Sequence, residues 1–225
     1  MLYLFLHPFT SLTASFDHLI EQLPSTLQHR ILKKKQRKKR ESSLLGYILL
    51  QRALVQYFDT NLDAITFLPS GKPILKLAHR SLSFNISHSN HLVGLVIGEG
   101  NTLGLDIEAF RKFDKVESSF SFFSEVEQNA ILTASNPDWK LIEFWSKKEA
   151  LVKAVGGRMF DMAAYTDVRF DTALWKDKTY QLARINYDFK GFVWIASLLP
   201  IDNIIIKIIH DLNKIEEAPN GLFKI

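Results

Sequence analysis

Residues 103–110, LGLDIEAF, set two carboxylates two positions apart inside a run that is otherwise apolar. Leu103, Leu105 and Ile107 suit the buried face of a strand. Asp106 and Glu108 do not, because a bare carboxylate is costly to take out of water and is rarely buried unpaired. On a strand, positions i and i+2 point to one side, with Cα atoms roughly 6.5–7 Å apart. Both acids therefore leave one face together while the aliphatic residues fill the other. Two like charges that close are unfavourable unless a cation or a shared proton sits between them. The pair faces either solvent, on the outside of an antiparallel sheet, or a site that supplies positive charge. These residues alone leave both readings open.

The remaining chain narrows the choice. At 225 residues it is long enough for one large domain or two small ones. Apolar residues make up 47% and charged residues 23%, an ordinary balance for a soluble globular protein. The absence of cysteine excludes a disulfide framework and a thiolate metal site. The opening MLYLFLHPF has no basic flank, no small-residue cleavage site and too little length for a signal peptide. No apolar run reaches the 18 or more residues of a membrane span, since Lys207 interrupts NIIIKIIH. The expected location is the cytoplasm. The net charge of +4 is a local matter: residues 30–40, RILKKKQRKKR, hold eight of the 28 basic residues and no acid. Such a run is a solvated helix face, a targeting signal or a phosphate-binding surface.

Periodicity outlines an α+β protein. LYLFLH reads as a strand. Residues 17–58 look helical with a break near Pro24, and Leu44, Leu45, Ile48, Leu49 and Ala53 recur at helical spacing, so the basic run leads into an amphipathic helix. PSGKP is turn chemistry. SLSFNIS, HLVGLVIG and LGLDIE, divided by the turns SHSN and GEGN, predict three strands in hairpin succession. Ser124 and Glu127 fit a capping box, and Asp138 is an N-cap candidate. WKLIEFWSKKEALVKAVGG predicts a long helix stopped by Gly156 and Gly157. Further strands are expected at 167–170, 180–186, 192–198 and 204–209, and a loosely held tail beyond Asn213. Each half offers helices and an antiparallel sheet, with no residue-level repeat between them.

Glu149 and Lys153 lie four apart on that long helix, with Trp145 one turn earlier on the same stripe. A surface ion pair accounts for them, but Trp145, Val152 and Gly156 put the stripe at the border of the apolar face, where it can look into a cleft. Asp106, Glu108 and Glu149 together are three hard oxygen donors of the kind Mg²⁺ prefers, usually shared with a substrate phosphate. Lys148 and Lys153 supply point charges for phosphates. Ser87 and His88 end a strand within reach of an anion, and Lys72 sits in a stiff turn. Competing motifs fail. No G-x-S-x-G surrounds Ser87. Gly98, Gly100 and Gly104 are misspaced for a dinucleotide loop. No paired histidines suggest zinc.

GKP, FNISHS, LGLDIE, FFS and FWSKKEALVKAVGGRM follow one another between residues 71 and 159. In that order they resemble the Sfp-type 4′-phosphopantetheinyl transferases. The resemblance implies a pseudo-dimer of two similar α+β halves, residues 1–108 and 109–225, each an antiparallel sheet packed with helices. The active site would lie at their interface. It implies Asp106, Glu108 and Glu149 as Mg²⁺ ligands, Lys148 and Lys153 as phosphate contacts, and Lys72, Ser87 and His88 as coenzyme A contacts. One departure stands out. Where many relatives carry an arginine just before the LLG segment for the 3′-phosphate, this chain has Glu41, Ser42 and Ser43, with Arg40 one step earlier. Either Arg40 or another residue of the basic run takes that role, or coenzyme A binds less tightly.

The implied reaction moves phosphopantetheine from coenzyme A to a serine hydroxyl of an apo acyl or peptidyl carrier protein, releasing 3′,5′-ADP. Glu149 is the expected base and Lys153 the group that stabilises or protonates the leaving nucleotide. The chain is expected to act as a monomer, without nucleic acid or membrane partners. Two alternatives remain: a Mg²⁺-dependent nuclease, disfavoured because Ala109 and Phe110 replace its E-x-K continuation, and a homologue that binds coenzyme A or carrier protein without catalysis.

Overall fold

Among the described residues, two larger sheets, each with one long helix on its outer face, stack into four layers, with a separate two-stranded sheet beside them. The computed structural model describes residues 1–8, 16–69, 71–100, 102–162, 165–212 and 221–223. The first part of the chain runs β1 (Leu2–Pro8), α1 (Phe16–Glu21), α2 (Ser25–Leu32), α3 (Arg37–Phe58), β2 (Ile65–Phe67), β3 (Pro73–Leu75), β4 (Leu82–Ser89) and β5 (Leu92–Glu99). The second runs β6 (Leu103–Ala109), α4 (Glu125–Leu132), α5 (Pro137–Val155), α6 (Met159–Met162), β7 (Thr172–Trp175), β8 (Lys178–Arg184), β9 (Gly191–Ser197), β10 (Ile204–Ile208) and β11 (Gly221–Phe223).

The first sheet has the order β11-β10-β1-β5-β4 and the second β6-β9-β8-β7. On one face of the first sheet Phe5, Phe84, Val93, Leu95 and Ile97 pack against Leu44, Leu45, Ile48 and Leu49 of α3. On its other face Leu2, Leu4, Leu6, Leu92 and Val96 meet Leu103, Leu105, Ile107, Val193 and Ile195 of the second sheet. The far face of the second sheet, with Tyr180, Leu182, Phe192, Trp194 and Ala196, carries Leu141, Ile142, Phe144, Ala150 and Leu151 of α5. Strands buried on both faces read as continuous apolar runs, which is why LYLFLH and HLVGLVIG alternate so weakly.

Strand exchange binds the halves. β6 pairs with β9 and does not continue the β4–β5 hairpin. β10 returns to pair parallel with β1, so the first sheet is mixed and not wholly antiparallel. The division at residues 108 and 109 thus does not follow the sheets. The α+β class holds, and a structural echo replaces the absent sequence repeat: an eight-residue helix precedes a long one in each half.

Several local expectations shift. The helical region breaks at 33–36 as well as near Pro24, so the basic run is split between the end of α2 and the first turn of α3. Ser87, His88 and Ser89 belong to β4, and the hairpin turns at Asn90, whose φ is 49°. The turn GEGN includes Asn101, which lies outside the described residues. Asn136, not Asp138, caps α5 by accepting from the Trp139 N–H; Asp138 accepts from Phe113 instead. Residues 167–170 form no strand. The capping box of Ser124 and Glu127 is present, as is the Gly156 stop. Of the tail, residues 221–223 form β11 beside β10, and residues 213–220 and 224–225 lie outside the described residues.

Candidate active site

The long helix α5 approaches β6 more closely than a side chain would allow. A Cβ built on Gly104 would lie 1.9 Å from the Ala150 carbonyl oxygen, so only glycine fits there. Gly104, Asp106 and Glu108 alternate on the face of β6 that α5 covers, and the acids therefore look at the helix and not at open solvent. Ser146, Glu149 and Lys153, spaced by three and four, face them.

Asp106 is 3% exposed and fully engaged. Its Oδ1 accepts from Lys153 Nζ at 2.6 Å and its Oδ2 from Ser146 Oγ at 2.7 Å. Ser87 joins the group, accepting from Lys153 Nζ at 3.1 Å and from the Ile107 N–H at 3.2 Å, with its hydroxyl 3.5 Å from Asp106 Oδ1. Glu108, further along β6, pairs with Arg111 at 2.8 Å. Glu149 is half-buried, and its carboxylate has no hydrogen-bond or ion-pair partner among the described residues. Burial pushes Glu149 above the ordinary glutamate range; Lys153 opposes this, and Asp106 and Glu108 add to it. Glu108 is raised in the same way, by burial first and then by Asp106, against Arg111 and Lys153.

His88 is exposed at the mouth of this cleft. The protein around it lowers its pKa first, and Lys153, Lys34 and Lys39 lower it further, against the pull of Asp106. The charges felt at His88 thus come from α5 (Lys153), from the α2–α3 turn (Lys34) and from the first turn of α3 (Lys39). Beside them a cavity of about 500 Å³ is lined by Arg30, Lys33, Lys34, Ser43, Tyr47 and Pro73. Arg30 stacks on Phe67 at 4.0 Å and donates to the Gly71 carbonyl, which ties α2 to the β2–β3 hairpin.

Three expected contacts are occupied by the protein itself. Lys148 does not enter the cleft. It is 2% exposed, pairs with Glu127 at 2.9 Å and donates to the Thr166 carbonyl at 2.6 Å. On a helix its neighbour Glu149 points about 100° away, so adjacent residues of one motif serve different sides of α5. As placed, the Lys148 ammonium is turned away from the cleft in which the resemblance expects it to meet a phosphate. Lys72 donates to the Lys153 carbonyl at 2.6 Å and the Ala154 carbonyl at 3.4 Å, closing the negative end of α5. Burial lowers its pKa. Arg40 donates Nε to the Lys34 carbonyl at 2.6 Å and shapes the α2–α3 turn.

Ser146 escaped the reading of the sequence. A lone serine inside a helix carries no signal by itself; only its place three before Glu149 and seven before Lys153 marks it. Glu127 appeared there only as a cap, yet it is fully buried and also accepts from the Val168 N–H.

Among the described residues, no three Asp, Glu or His side chains stand close enough, as placed, to hold an ion. The donor chemistry nevertheless fits a hard divalent cation. Burial first, and the neighbouring carboxylates after it, raise Glu108 and Glu149, and the positive charges beside these acids are Lys153 on Asp106 and Arg111 on Glu108.

A half-buried glutamate with no hydrogen-bond or ion-pair partner among the described residues, beside an aspartate–lysine pair at a basic cleft, makes this the candidate active site. The sequence profile of the 4′-phosphopantetheinyl transferase superfamily matches residues 102–208, and that of the 4′-phosphopantetheinyl transferase N-terminal region matches residues 9–99. The 4′-phosphopantetheinyl transferase AcpT of Salmonella typhimurium is 32% identical over 146 residues, covering 64% of this chain and 71% of the relative. AcpT of Escherichia coli K12 is 30% identical over 119 residues, 52% and 60% of the two chains. The 4′-phosphopantetheinyl transferase HetI of a Nostoc species is 32% identical over 91 residues, 38% of each. The chain belongs to the 4′-phosphopantetheinyl transferase superfamily and is an enzyme of that class.

Proposed function

We propose that the protein moves the 4′-phosphopantetheine arm of coenzyme A to a serine hydroxyl of an apo carrier protein, in a Mg²⁺-dependent reaction that releases 3′,5′-ADP. The observation that carries this reading is Glu149, a half-buried carboxylate of raised pKa with no hydrogen-bond or ion-pair partner among the described residues, opposite the Lys153–Asp106 pair.

The serine oxygen forms a bond to the β-phosphorus of coenzyme A, and the bond from that phosphorus to the bridging oxygen of the nucleotide breaks. The serine proton passes to Glu149, whose raised pKa makes it a better acceptor than a free glutamate. Lys153 neutralises charge gathering on the leaving 3′,5′-ADP and can supply its proton; this is the step where positioned charge counts most. Ser146 and Ser87 keep Asp106 and Lys153 in register. Asp106, Glu108 and Glu149 would hold Mg²⁺, which when bound neutralises the diphosphate.

His88 and the lysines around it form the rim that attracts the diphosphate. The basic cavity over Tyr47 suits the nucleotide end, with Arg30, Lys33 and Lys34 taking the 3′-phosphate. In this reading Arg40 acts through the turn it holds, and Lys72 and Ser87 reach coenzyme A only by giving up part of their present bonding. Both walls of the cleft come from one chain, so the proposed working unit is a monomer. No helix among the described residues is long and apolar enough to cross a membrane, and the proposed location is the cytoplasm.

Intact-mass spectrometry of an apo carrier protein incubated with the enzyme, coenzyme A and Mg²⁺ tests the proposal. The expected result is a gain of one phosphopantetheine arm, lost with EDTA and with Glu149→Ala. Coenzyme A binding without any gain on carriers of several types would leave a non-catalytic homologue, and neither binding nor gain would overturn the reading.

A further inference from the structure

The block FNISHS contains two residues, Asn85 and Ser89, that the proposed reaction does not use. They share one face of β4 with Ser87, and all three side chains reach β6. Asn85 Oδ1 accepts from the Leu105 N–H at 3.0 Å, Ser87 Oγ from Ile107 at 3.2 Å and Ser89 Oγ from Ala109 at 3.0 Å. Each donor lies twenty residues beyond its acceptor, so the two strands run side by side in the same direction, joined at every second residue.

β4 and β6 are the end strands of their respective sheets. β4 pairs through its backbone with β5 and β6 with β9. The N–H groups that β6 turns away from β9 would be edge donors, and Leu105, Ile107 and Ala109 are buried. A buried donor without a partner is costly, and here side-chain oxygens take the place of a backbone ladder. The residues between the rungs are Asp106 and Glu108. The middle rung also receives Lys153 Nζ, whereas among the described residues Asn85 and Ser89 bond to neither acid nor to Lys153.

We infer that Asn85 and Ser89 are positioning residues, the outer rungs of a side-chain ladder that sets the height and rotation of β6 and so aims Asp106 and Glu108 into the cleft. The ladder stands on geometry alone; the use made of the two acids rests on the proposed transfer reaction. Groups that orient a metal's carboxylates commonly alter metal affinity when removed, without touching the ion.

Amide hydrogen exchange and a Mg²⁺ titration of the carrier-protein mass assay test this together, on the wild-type chain, Asn85→Ala, Ser89→Ala and Ser89→Thr. In the wild type the amides of Leu105, Ile107 and Ala109 should exchange slowly. Ser89→Ala should speed exchange at Ala109 about tenfold or more and raise the Mg²⁺ concentration for half-maximal transfer about tenfold. Ser89→Thr, which keeps the hydroxyl, should restore both. Wild-type amides that exchange like open edge donors would overturn the ladder. A lowered thermal midpoint with an unchanged Mg²⁺ midpoint in both alanine variants would overturn the positioning role. A wild-type chain that transfers nothing would sink the reaction, while the exchange data would still decide the ladder.

Discussion

Asp106 illustrates how both oxygens of one carboxylate are satisfied in a nearly dry place: Lys153 on one oxygen, Ser146 on the other. Glu149 has no such support, and that asymmetry separates their roles. An acid with two donors holds still; an acid without one can take a proton. Replacing Glu149 by Gln is expected to lower kcat by about 10²–10⁴-fold with little change in the KM for coenzyme A, measured by initial rates. The pH dependence follows from the raised pKa. Below it Glu149 is protonated and cannot act as base, so kcat/KM of the wild type should fall on the acid side, with its midpoint above 4.5. A flat acid limb down to pH 4.5 would remove Glu149 from that role.

At the scale of elements, α5 is held from three directions. Gly104 lets it touch β6, Lys72 closes its C-terminal end, and Lys147 and Lys148 fasten it to residues 166–171 through the Phe170 and Thr166 carbonyls. Glu127 and Lys148 form a pair 0% and 2% exposed, and burial lowers the lysine's pKa against the pull of Glu127. Removing one member of such a pair strands the other. Lys148→Met is therefore expected to cost about 3–5 kcal/mol in urea unfolding, and the double change with Glu127→Gln to recover part of it. A rise in the KM for coenzyme A without loss of stability would instead restore Lys148 as a phosphate contact. Gly104→Ala pushes a methyl group into the helix backbone. A loss of about 3 kcal/mol by thermal unfolding, together with lost transfer, is the expected outcome.

The whole molecule is strongly polarised. Eight basic residues between 30 and 40 stand against an otherwise slightly acidic chain, and four of them crowd the first turn of α3, where the helix dipole disfavours positive charge. Lys34, Lys35 and Lys38 are exposed. Reversing Lys35 and Lys38 to Glu, with Lys34 left in place for the nucleotide, should raise the KM for an acidic carrier protein steeply at low salt and much less at high salt, because exposed charges are screened over about 8–10 Å at moderate ionic strength. An unchanged KM at low salt would mean that the basic surface serves coenzyme A alone.

Much of this was legible in the sequence because it is local. The stripe of Glu149 and Lys153, the capping box at Ser124, the Gly156 stop and the pairing of Asp106 with Glu108 depend on periodicities of 3.6 and 2 that hold wherever the chain goes. Which face of β6 met what could not be read so, since both faces are buried and apolar alternation then carries no direction. Nor could the return of β10 to β1, or the transfer of β6 to the second sheet, because strand pairing is decided by distant partners. Tertiary structure alone put Lys148 on Glu127, Lys153 on Asp106 and Ser87 on Ile107. A side chain of given type serves whichever partner the packed backbone brings within about 3 Å, and residues 18 to 66 positions apart come that close only once the layers are stacked.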